Sequence, residues 1–303
     1  MTDTAVSLRR KIATAGDLES VVRTMKAMAA SSVGQYENAV RALDDYYRTV
    51  QLGLAASFRQ AASAGAATPV SPVSQKESGA IGAVVFGSDQ GLVGQFNQTL
   101  VEFVMQTLEN LPGEKTVWAV GERIQSRLAE TELELAGGFV LPNAISAITP
   151  LVGQVLTEMQ TQREKGAITQ VYLFHNRPQT GAIYTPVNQR LLPLDDLWHR
   201  DLAAIPWPTD KLPEVMNGSE QTLPALVREY LFVSLFRACA ESLASENASR
   251  LAAMQRAEKN IDELQEDLNR TFHRLRQSGI DEELFDVVSG FEALVSVSND
   301  QLM

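Results

Sequence analysis

The stretch LRRKIATAGDLESVVRTMKAMA, residues 8–29, contains the pattern that decides the fold. Its apolar residues recur at alternating steps of three and four, which is the heptad spacing of a coiled-coil helix. No proline precedes Pro69. We therefore expect one long helix over residues 1–58, with an apolar seam formed by Leu8, Ile12, Ala15, Leu18, Val22, Met25, Ala29, Val33, Tyr36, Val40, Leu43, Tyr47, Val50 and Leu54.

A second long helix is expected over residues 220–303, with Thr222 as its cap and Gly279 as a possible bend. An isolated amphipathic helix would leave its apolar stripe in water, so the two helices are expected to run antiparallel as a coiled-coil rod. The end of the longer second helix would then project alone. Its seam consists of Leu251, Met254, Ala257, Ile261, Leu264, Leu268, Phe272 and Leu275.

The middle of the chain has a different composition and a different apolar pattern. Residues 59–78 are rich in Ala, Ser, Gly and Pro and are interpreted as a linker. Over residues 79–219, short apolar runs alternate with helical patterns, which predicts an α/β, Rossmann-like domain with a mostly parallel sheet. Residues 193–218 are interpreted as a surface loop. Strands are expected over 80–86, 116–120 and 168–175, with an edge strand over 182–192.

Composition narrows the possible functions. With 26 Lys and Arg against 37 Asp and Glu, the net charge of −11 argues against general nucleic-acid binding. The single Cys239 excludes a disulfide framework, and three scattered histidines do not suggest a metal cluster. Common nucleotide-binding and hydrolase motifs are absent from the sequence, so no catalytic residue, metal or cofactor is expected. No signal peptide or membrane span is evident, which favours an intracellular protein or one held at a membrane by other subunits.

Two further segments attract attention. The loop Gly87-Ser-Asp-Gln-Gly-Leu-Val-Gly94 lies between a strand and a helix, where anions often bind. However, its spacing differs from G-x-G-x-x-G and Asp89 would repel a phosphate, so a structural turn is favoured. From Leu284 onward, LFDVVSGFEALVSVS is almost uncharged, and an exposed segment this apolar usually marks an interface.

Three segments together resemble the gamma subunit of F-type ATP synthases. Val21, Met25, Lys26 and Ala29-Ala-Ser31 are similar to the family's I-x-x-A-M-K-x-V-A-A-S. The Gly-rich loop is similar to S-D-x-G-L-C-G-x-x-N through Ser88, Asp89, Gly91, Gly94 and Asn97. The most specific match is the terminal helix, with Ala244-Ser-Glu-Asn-Ala-Ser-Arg250, Arg276-Gln277 and Val288-Ser-Gly290.

The resemblance implies a central rotor shaft that turns inside a ring of alpha and beta subunits and couples ion flow to ATP synthesis or hydrolysis. The α/β domain would rest on the membrane ring of c subunits and bind the epsilon subunit. The chain itself would be noncatalytic and peripheral, on the cytoplasmic face of a bacterial inner membrane. The implied contacts with the catalytic ring are Arg9, Arg10, Lys11, Arg23, Met25, Lys26, the pair Arg276 and Gln277, and the apolar tip residues Leu284, Val288, Phe291 and Leu294.

The sequence also departs from the family pattern. Ser32-Val-Gly-Gln-Tyr-Glu-Asn38 replaces a run that is usually basic, and Val93 replaces a cysteine. The charge pattern of the ring contacts is therefore open. Two other functions also remain open at this point: a self-associating coiled-coil adaptor, and a small α/β enzyme that uses residues 87–94 to hold a phosphate.

Overall fold

The computed structural model describes residues 4–63, 79–179, 182–194, 196–209, 211 and 219–300, with the backbone alone at 61–63, 196–197, 203, 219–220 and 290–300. Most of the expected linker, residues 64–78, lies outside the described residues. The helices and strands are α1 Ala5–Ser63, β1 Ile81–Phe86, α2 Phe96–Glu109, β2 Lys115–Val120, α3 Glu122–Leu128, β3 Glu134–Phe139, α4 Ile148–Glu164, β4 Gln170–Gln179, β5 Ala182–Leu192, α5 Asp196–Ala204 and α6 Ser219–Asp300.

The chain divides into two compact units. Met1–Met28 and Ala252–Met303 form the first, which we call the coil unit. Ala29–Leu251 forms the second, the sheet unit. Both long helices contribute residues to both units, because α1 and α6 each continue past the division.

In the coil unit, α1 and α6 run antiparallel. The Arg9 guanidinium lies 5.2 Å from the centre of the Phe272 ring, and Lys26 pairs with Glu258. From the first contact to the second, the residue number increases in α1 and decreases in α6, as in an antiparallel pair. The expected antiparallel pairing of the two ends of the chain is confirmed within this unit.

The seam of the coil unit differs from expectation at two levels. Leu275 was expected inside but is 37% exposed, and Leu18 and Leu264, also expected inside, have exposed fractions of 52% and 50%. Glu19 and Gln265 are less exposed, and the Gln265 amide donates a hydrogen bond of 3.0 Å to Glu19. Because that bond satisfies both polar groups, the helices can turn their polar residues inward here and leave the leucines half in water.

The sheet unit is built on a five-stranded sheet in the order β3-β2-β1-β4-β5. Strands β3, β2, β1 and β4 are mutually parallel, and β5 lies at the edge, which agrees with the expected mostly parallel sheet and edge strand; the antiparallel direction of β5 was not predicted. Strand β3 was not expected, because its residues ELAGGF alternate between exposed and half-buried and include two glycines. Such a strand lacks the continuous apolar run by which β1 is recognised.

Helices cover both faces of the sheet. α2 and α3 pack against one face, around Ile81, Val85 and Phe174. On the other face, α4 joins the parts of α1 and α6 that belong to this unit, in a cluster that includes Leu54, Val84 and Cys239. The long helices are therefore anchored on the sheet through apolar burial, the main favourable contribution to folding.

Two helix bounds and one expected bend differ from the structure. α1 ends at Ser63 instead of residue 58, and α6 begins at Ser219, so Thr222 is not its cap and Pro224 lies inside the helix. Pro224 is the sixth residue of α6, beyond the first four N–H groups that a helix leaves unpaired, so the helix forgoes one i→i−4 hydrogen bond there. α6 also continues through Gly279 without interruption. No described helix is apolar over a sufficient length to span a bilayer.

α5 lies where a surface loop was expected. Trp198 packs edge-on against Phe58 and Tyr230, with ring centres 6.0 and 5.2 Å apart, and Leu202 is buried. The Pro- and Asp-rich residues around this short helix hid its apolar face from sequence inspection.

Candidate functional site

The candidate site is the surface of the coil unit, where the resemblance places contacts with other subunits. Two of its expected cations are already engaged within the chain. Lys26 donates a hydrogen bond to Glu258, and Arg23 pairs with Glu19 and lies 3.7 Å from Glu258. The Lys26 hydrogen bond and the two positive charges lower the pKa of Glu258 below its ordinary value. These cations are therefore balanced by the chain's own carboxylates.

The remaining expected contacts differ in how accessible they are. Arg9 stacks over Phe272, Arg10 and Lys11 are exposed, and Met25 is half-buried. Arg276 and Gln277 are exposed next to each other on α6. Phe291 and Leu294 belong to the last turns of α6, where the structure describes the backbone alone.

The described end of α6 presents an exposed apolar surface. Leu284, Phe285, Val287 and Val288 have exposed fractions between 47% and 71%. A cluster of this size without cover is unusual for a free surface, since large apolar patches mark interaction sites.

The Gly-rich loop of the sheet unit uses its polar groups internally. The Ser88 amide donates to the Asn97 side-chain oxygen at 3.1 Å, and the Asn97 amide donates back to the Ser88 hydroxyl at 2.7 Å. Asp89 accepts a 2.9 Å hydrogen bond from the Glu122 amide at the start of α3. A carboxylate at a helix N-terminus satisfies an unpaired N–H and complements the helix dipole. The loop therefore acts as a structural turn, as the sequence favours, and Asp89 takes the place that an anion would occupy.

α6 closes the edge of the sheet where an α/β enzyme would bind its ligand. In open α/β sheets that edge is formed by the carboxyl ends of the parallel strands. Here Ser242 donates to the Phe86 carbonyl at the end of β1, and Ser245 donates to the Asn176 carbonyl of β4, at 2.9 and 3.0 Å. Ser249 donates to the Val93 carbonyl of the Gly-rich loop at 2.6 Å. The serine spacing of three and four was visible in the sequence as a polar row within an apolar helix.

A buried ionic cluster, which sequence inspection missed, fixes α6 to β4. Its centre is Glu241, whose side chain is 4% exposed. Glu241 is bonded to His175 at 2.7 Å and accepts bonds from Arg177 and Arg237, both at 2.8 Å. Arg237 also pairs with Asp44 of α1 at 3.1 Å. We call Glu241, His175, Arg177 and Arg237 the Glu241 cluster.

The charges of this cluster shift the pKa of its members. Burial alone would raise the pKa of Glu241, but the bonds from His175, Arg237 and Arg177 lower it to about 2. Burial lowers the pKa of His175, although its bond to Glu241 opposes this. At neutral pH the cluster therefore contains one carboxylate, two guanidinium groups and a neutral imidazole. It is a structural ion network.

Thiol and metal chemistry are the other two possibilities at this site. Cys239 is buried nearby on α6, and burial raises the pKa of its thiol. No group of His, Cys, Asp and Glu in the described residues is suited to hold a metal.

These features define a class of protein. It combines long terminal helices with a Rossmann-like domain, and its last helix covers the carboxyl ends of the parallel strands. A family model described as ATP synthase matches residues 4–294, and the chain belongs to this family.

Individual relatives agree with that assignment. The chain is 27% identical to an ATP synthase gamma chain of Parafrankia sp. (strain EAN1pec), over 95% of this chain and 97% of that protein. It is 26% identical to an ATP synthase gamma chain of Pasteurella multocida (strain Pm70), over 96% and 99% of the two chains. The resemblance to gamma subunits inferred from the three sequence segments is thereby confirmed.

Solved structures share the fold. A chain in the OSCP/F1/c-ring structure of Euglena gracilis mitochondrial ATP synthase superposes with a TM-score of 0.65 at 18% identity, covering 96% of this chain and 94% of that one. A chain in the central stalk/c-ring structure of the Tetrahymena thermophila enzyme gives 0.55 at 23% identity, covering 78% and 99%. The expected fold class, an α/β domain with long paired terminal helices, is confirmed.

Proposed function

We propose that this chain is the central rotor shaft of an F-type ATP synthase. The coil unit turns inside a ring of alpha and beta subunits and couples ion flow across the membrane to ATP synthesis or hydrolysis. The observation that carries the proposal is the uncovered apolar end of α6, Leu284 to Val288, on an antiparallel helix pair of this family. A sleeve formed by the ring would cover that surface.

The chain is proposed to be noncatalytic. Ser242 and Ser245 of α6 cover the strand ends that would form an active site, and Ser249 bonds to the Gly-rich loop, in which Ser88 and Asn97 bond to each other. ATP chemistry would then take place on the ring subunits. Through the sheet unit, the shaft would bind the epsilon subunit and the c ring, so that the chain is a peripheral protein on the cytoplasmic face of a bacterial membrane.

Reconstitution tests this function. Mixed with alpha and beta subunits of the same organism, the chain should co-purify as one copy per ring and couple ATP hydrolysis to ion transport once membrane subunits are added. A stable homodimer that ignores the ring subunits would favour the coiled-coil adaptor. Micromolar binding of ATP or ADP by the isolated chain, measured by calorimetry, would favour the enzyme.

A second test addresses the exposed pair Arg276 and Gln277, which we propose hydrogen-bond to a loop of a catalytic subunit. Arg276→Ala combined with Gln277→Ala should lower coupled ATP turnover by about tenfold or more, since a hydrogen bond to a charged group contributes roughly 1.5–3 kcal/mol. Arg274→Ala, an exposed cation on the same helix, serves as the control. Equal turnover in the double variant and the control would remove the pair from the ring interface.

A further inference from the structure

One side of α6 carries a row of polar side chains where this helix lies on the sheet. At 3.6 residues per turn its members fall within an arc of about 140° and span about 18 Å along the helix axis. All but the first are buried. The members, which we call the α6 polar row, are Arg237, Glu241, Ser242, Ser245 and Ser249.

The α6 polar row bonds to several separate parts of the sheet unit. Arg237 pairs with a carboxylate of α1, and Glu241 bonds to two side chains of β4. Ser242 and Ser245 donate to main-chain carbonyls of β1 and β4, and Ser249 donates to a carbonyl of the Gly-rich loop. Because the partners belong to different elements, α6 cannot turn or slide on the sheet without breaking several of these bonds.

The apolar side chains beside the row offer little resistance to rotation of the helix. Between residues 238 and 244, the buried apolar side chains of α6 are Ala238, Cys239, Ala240, Leu243 and Ala244. Leucine is the one large side chain among them, and small side chains interlock less with a neighbouring surface than large ones do. Since hydrophobic burial has no preferred direction, it holds α6 against the sheet but contributes little to setting its angle.

Hydrogen bonds, in contrast, depend on both distance and angle. A carboxylate about 6 Å from the helix axis moves about 3 Å when the helix turns by about 30°. Glu241 is bonded to the buried His175 ring at 2.7 Å, so such a turn would carry the two groups beyond hydrogen-bond range. The α6 polar row therefore sets the angle at which α6 lies on the sheet.

Glu241 also connects the two long helices to each other at the sheet. Its carboxylate accepts a hydrogen bond from Arg237, and Arg237 pairs with Asp44 of α1 at 3.1 Å. The elements α1, α6 and β4 thus share one ionic cluster. Because α1 and α6 both continue into the coil unit, a torque on the sheet reaches the coil unit through these two helices.

From this arrangement we infer that Glu241 is a positioning residue that fixes the angle of α6, and through Arg237 that of α1, on the sheet while the shaft turns under load. The inference rests on the proposed function, since only a shaft experiences torque. Without the Glu241 carboxylate, apolar contacts would keep the sheet unit folded, but the long helices would slip on the sheet under torque. ATP hydrolysis on the ring would then continue while less of its energy reached the membrane.

Glu241→Gln tests the inference in the complete ATP synthase reconstituted in lipid vesicles. Glutamine keeps the size of the side chain but removes the charge that holds Arg177 and Arg237. ATP hydrolysis should stay within about twofold of the unchanged complex, whereas the number of ions transported per ATP should fall by about threefold or more, since charge-assisted hydrogen bonds are roughly twice as strong as neutral ones. An unchanged number of ions per ATP overturns the inference.

A control on the other face of the sheet separates this role from a loss of stability alone. Leu100 of α2 is fully buried there, so Leu100→Ala should lower the urea midpoint at least as much as Glu241→Gln does. The number of ions per ATP should nevertheless stay unchanged in the Leu100 variant. An equal decrease in both variants would mean that the cluster acts only through stability, and the inference would fail.

Arg237→Gln keeps the inference testable if Glu241→Gln does not assemble. In this variant Glu241 retains its bonds to β4, while the pairing with Asp44 of α1 is lost. The number of ions per ATP should fall here too, by a smaller factor, and no decrease overturns the inference. If the unchanged complex hydrolyses ATP without transporting ions, the proposed function fails and the inference fails with it.

Discussion

Glu241→Ala should lower the free energy of unfolding of the sheet unit by roughly 2–4 kcal/mol, somewhat less than the ~3–5 kcal/mol typical of removing one partner of a buried ion pair. The substitution leaves the buried His175 ring and two guanidinium groups without their common acceptor. We place the loss below the upper limit because Arg177 and Arg237 are partly exposed and can regain water. Urea unfolding followed by the fluorescence of buried Trp118 would measure it.

The matched control for this prediction is Glu263→Ala on the same helix. Glu263 is exposed and lies 3.7 Å from Lys259, so its removal should change stability by no more than about 0.5 kcal/mol. If the two alanine variants unfold at the same urea concentration, the Glu241 cluster contributes nothing beyond an ordinary surface pair.

The same cluster should make the sheet unit less stable in acid. The pKa of His175 is lowered in the folded state, so below about pH 6.5 the unfolded chain binds a proton that the folded chain excludes. The pKa of Glu241 is lowered to about 2, so its contribution is present above its unfolded value and is lost as the pH falls toward 2. Asp44 and Tyr47 of α1 also face the cluster through Arg237. His175→Gln should therefore flatten the dependence of stability on pH between 7 and 5; an unchanged slope would contradict this assignment.

Local patterns were sufficient to predict most of the architecture. The heptad spacing predicted α1 and the later part of α6. The apolar face of a single helix repeats at regular steps along the chain, so the sequence alone is sufficient to recognise it. Continuous apolar runs predicted β1, β2 and β4, because strands buried on both faces leave that signature. In the Gly-rich loop, Asp89 indicated a structural turn, and its carboxylate accepts the Glu122 amide at the start of α3.

The features that were missed depend on contacts between distant residues. His175 and Glu241 are 66 positions apart, and only the docking of α6 against β4 brings them together. Leu18 is exposed and Glu19 is less exposed because Gln265 of α6 bonds to Glu19. The spacing of α1 alone does not reveal this contact. For the same reason, Lys26 resembled a free cation of the family motif although Glu258 already holds it.

Gly121→Ala should destabilise the sheet unit by about as much as the loss of Glu241, although it adds only one methyl group. Gly121 precedes α3 with φ +115°, a conformation that L side chains rarely adopt. A Cβ atom there would lie 2.8 Å from the carbonyl carbon and oxygen of Ser88, which are backbone atoms with little freedom to move. Strain of this backbone region costs about 1–2 kcal/mol and overpacking about 1–3 kcal/mol, so a loss of roughly 2–4 kcal/mol is expected.

Gly153→Ala in α4 is the opposing control, because a Cβ atom at Gly153 meets nothing within 4 Å and its helical backbone suits alanine. The free energy of unfolding of that variant should rise by about 0.5–1 kcal/mol in the same urea titration.

The contrast between the two variants also tests how the Gly-rich loop is held. The Ser88 carbonyl accepts the amides of Arg123 and Ile124 at 2.9 and 3.3 Å, so moving Ser88 aside for a methyl group would break the bonds that join the loop to α3. If Gly121→Ala and Gly153→Ala shift the midpoint in the same direction, the close approach of Ser88 to Gly121 does not constrain the fold, and the loop is held by other contacts.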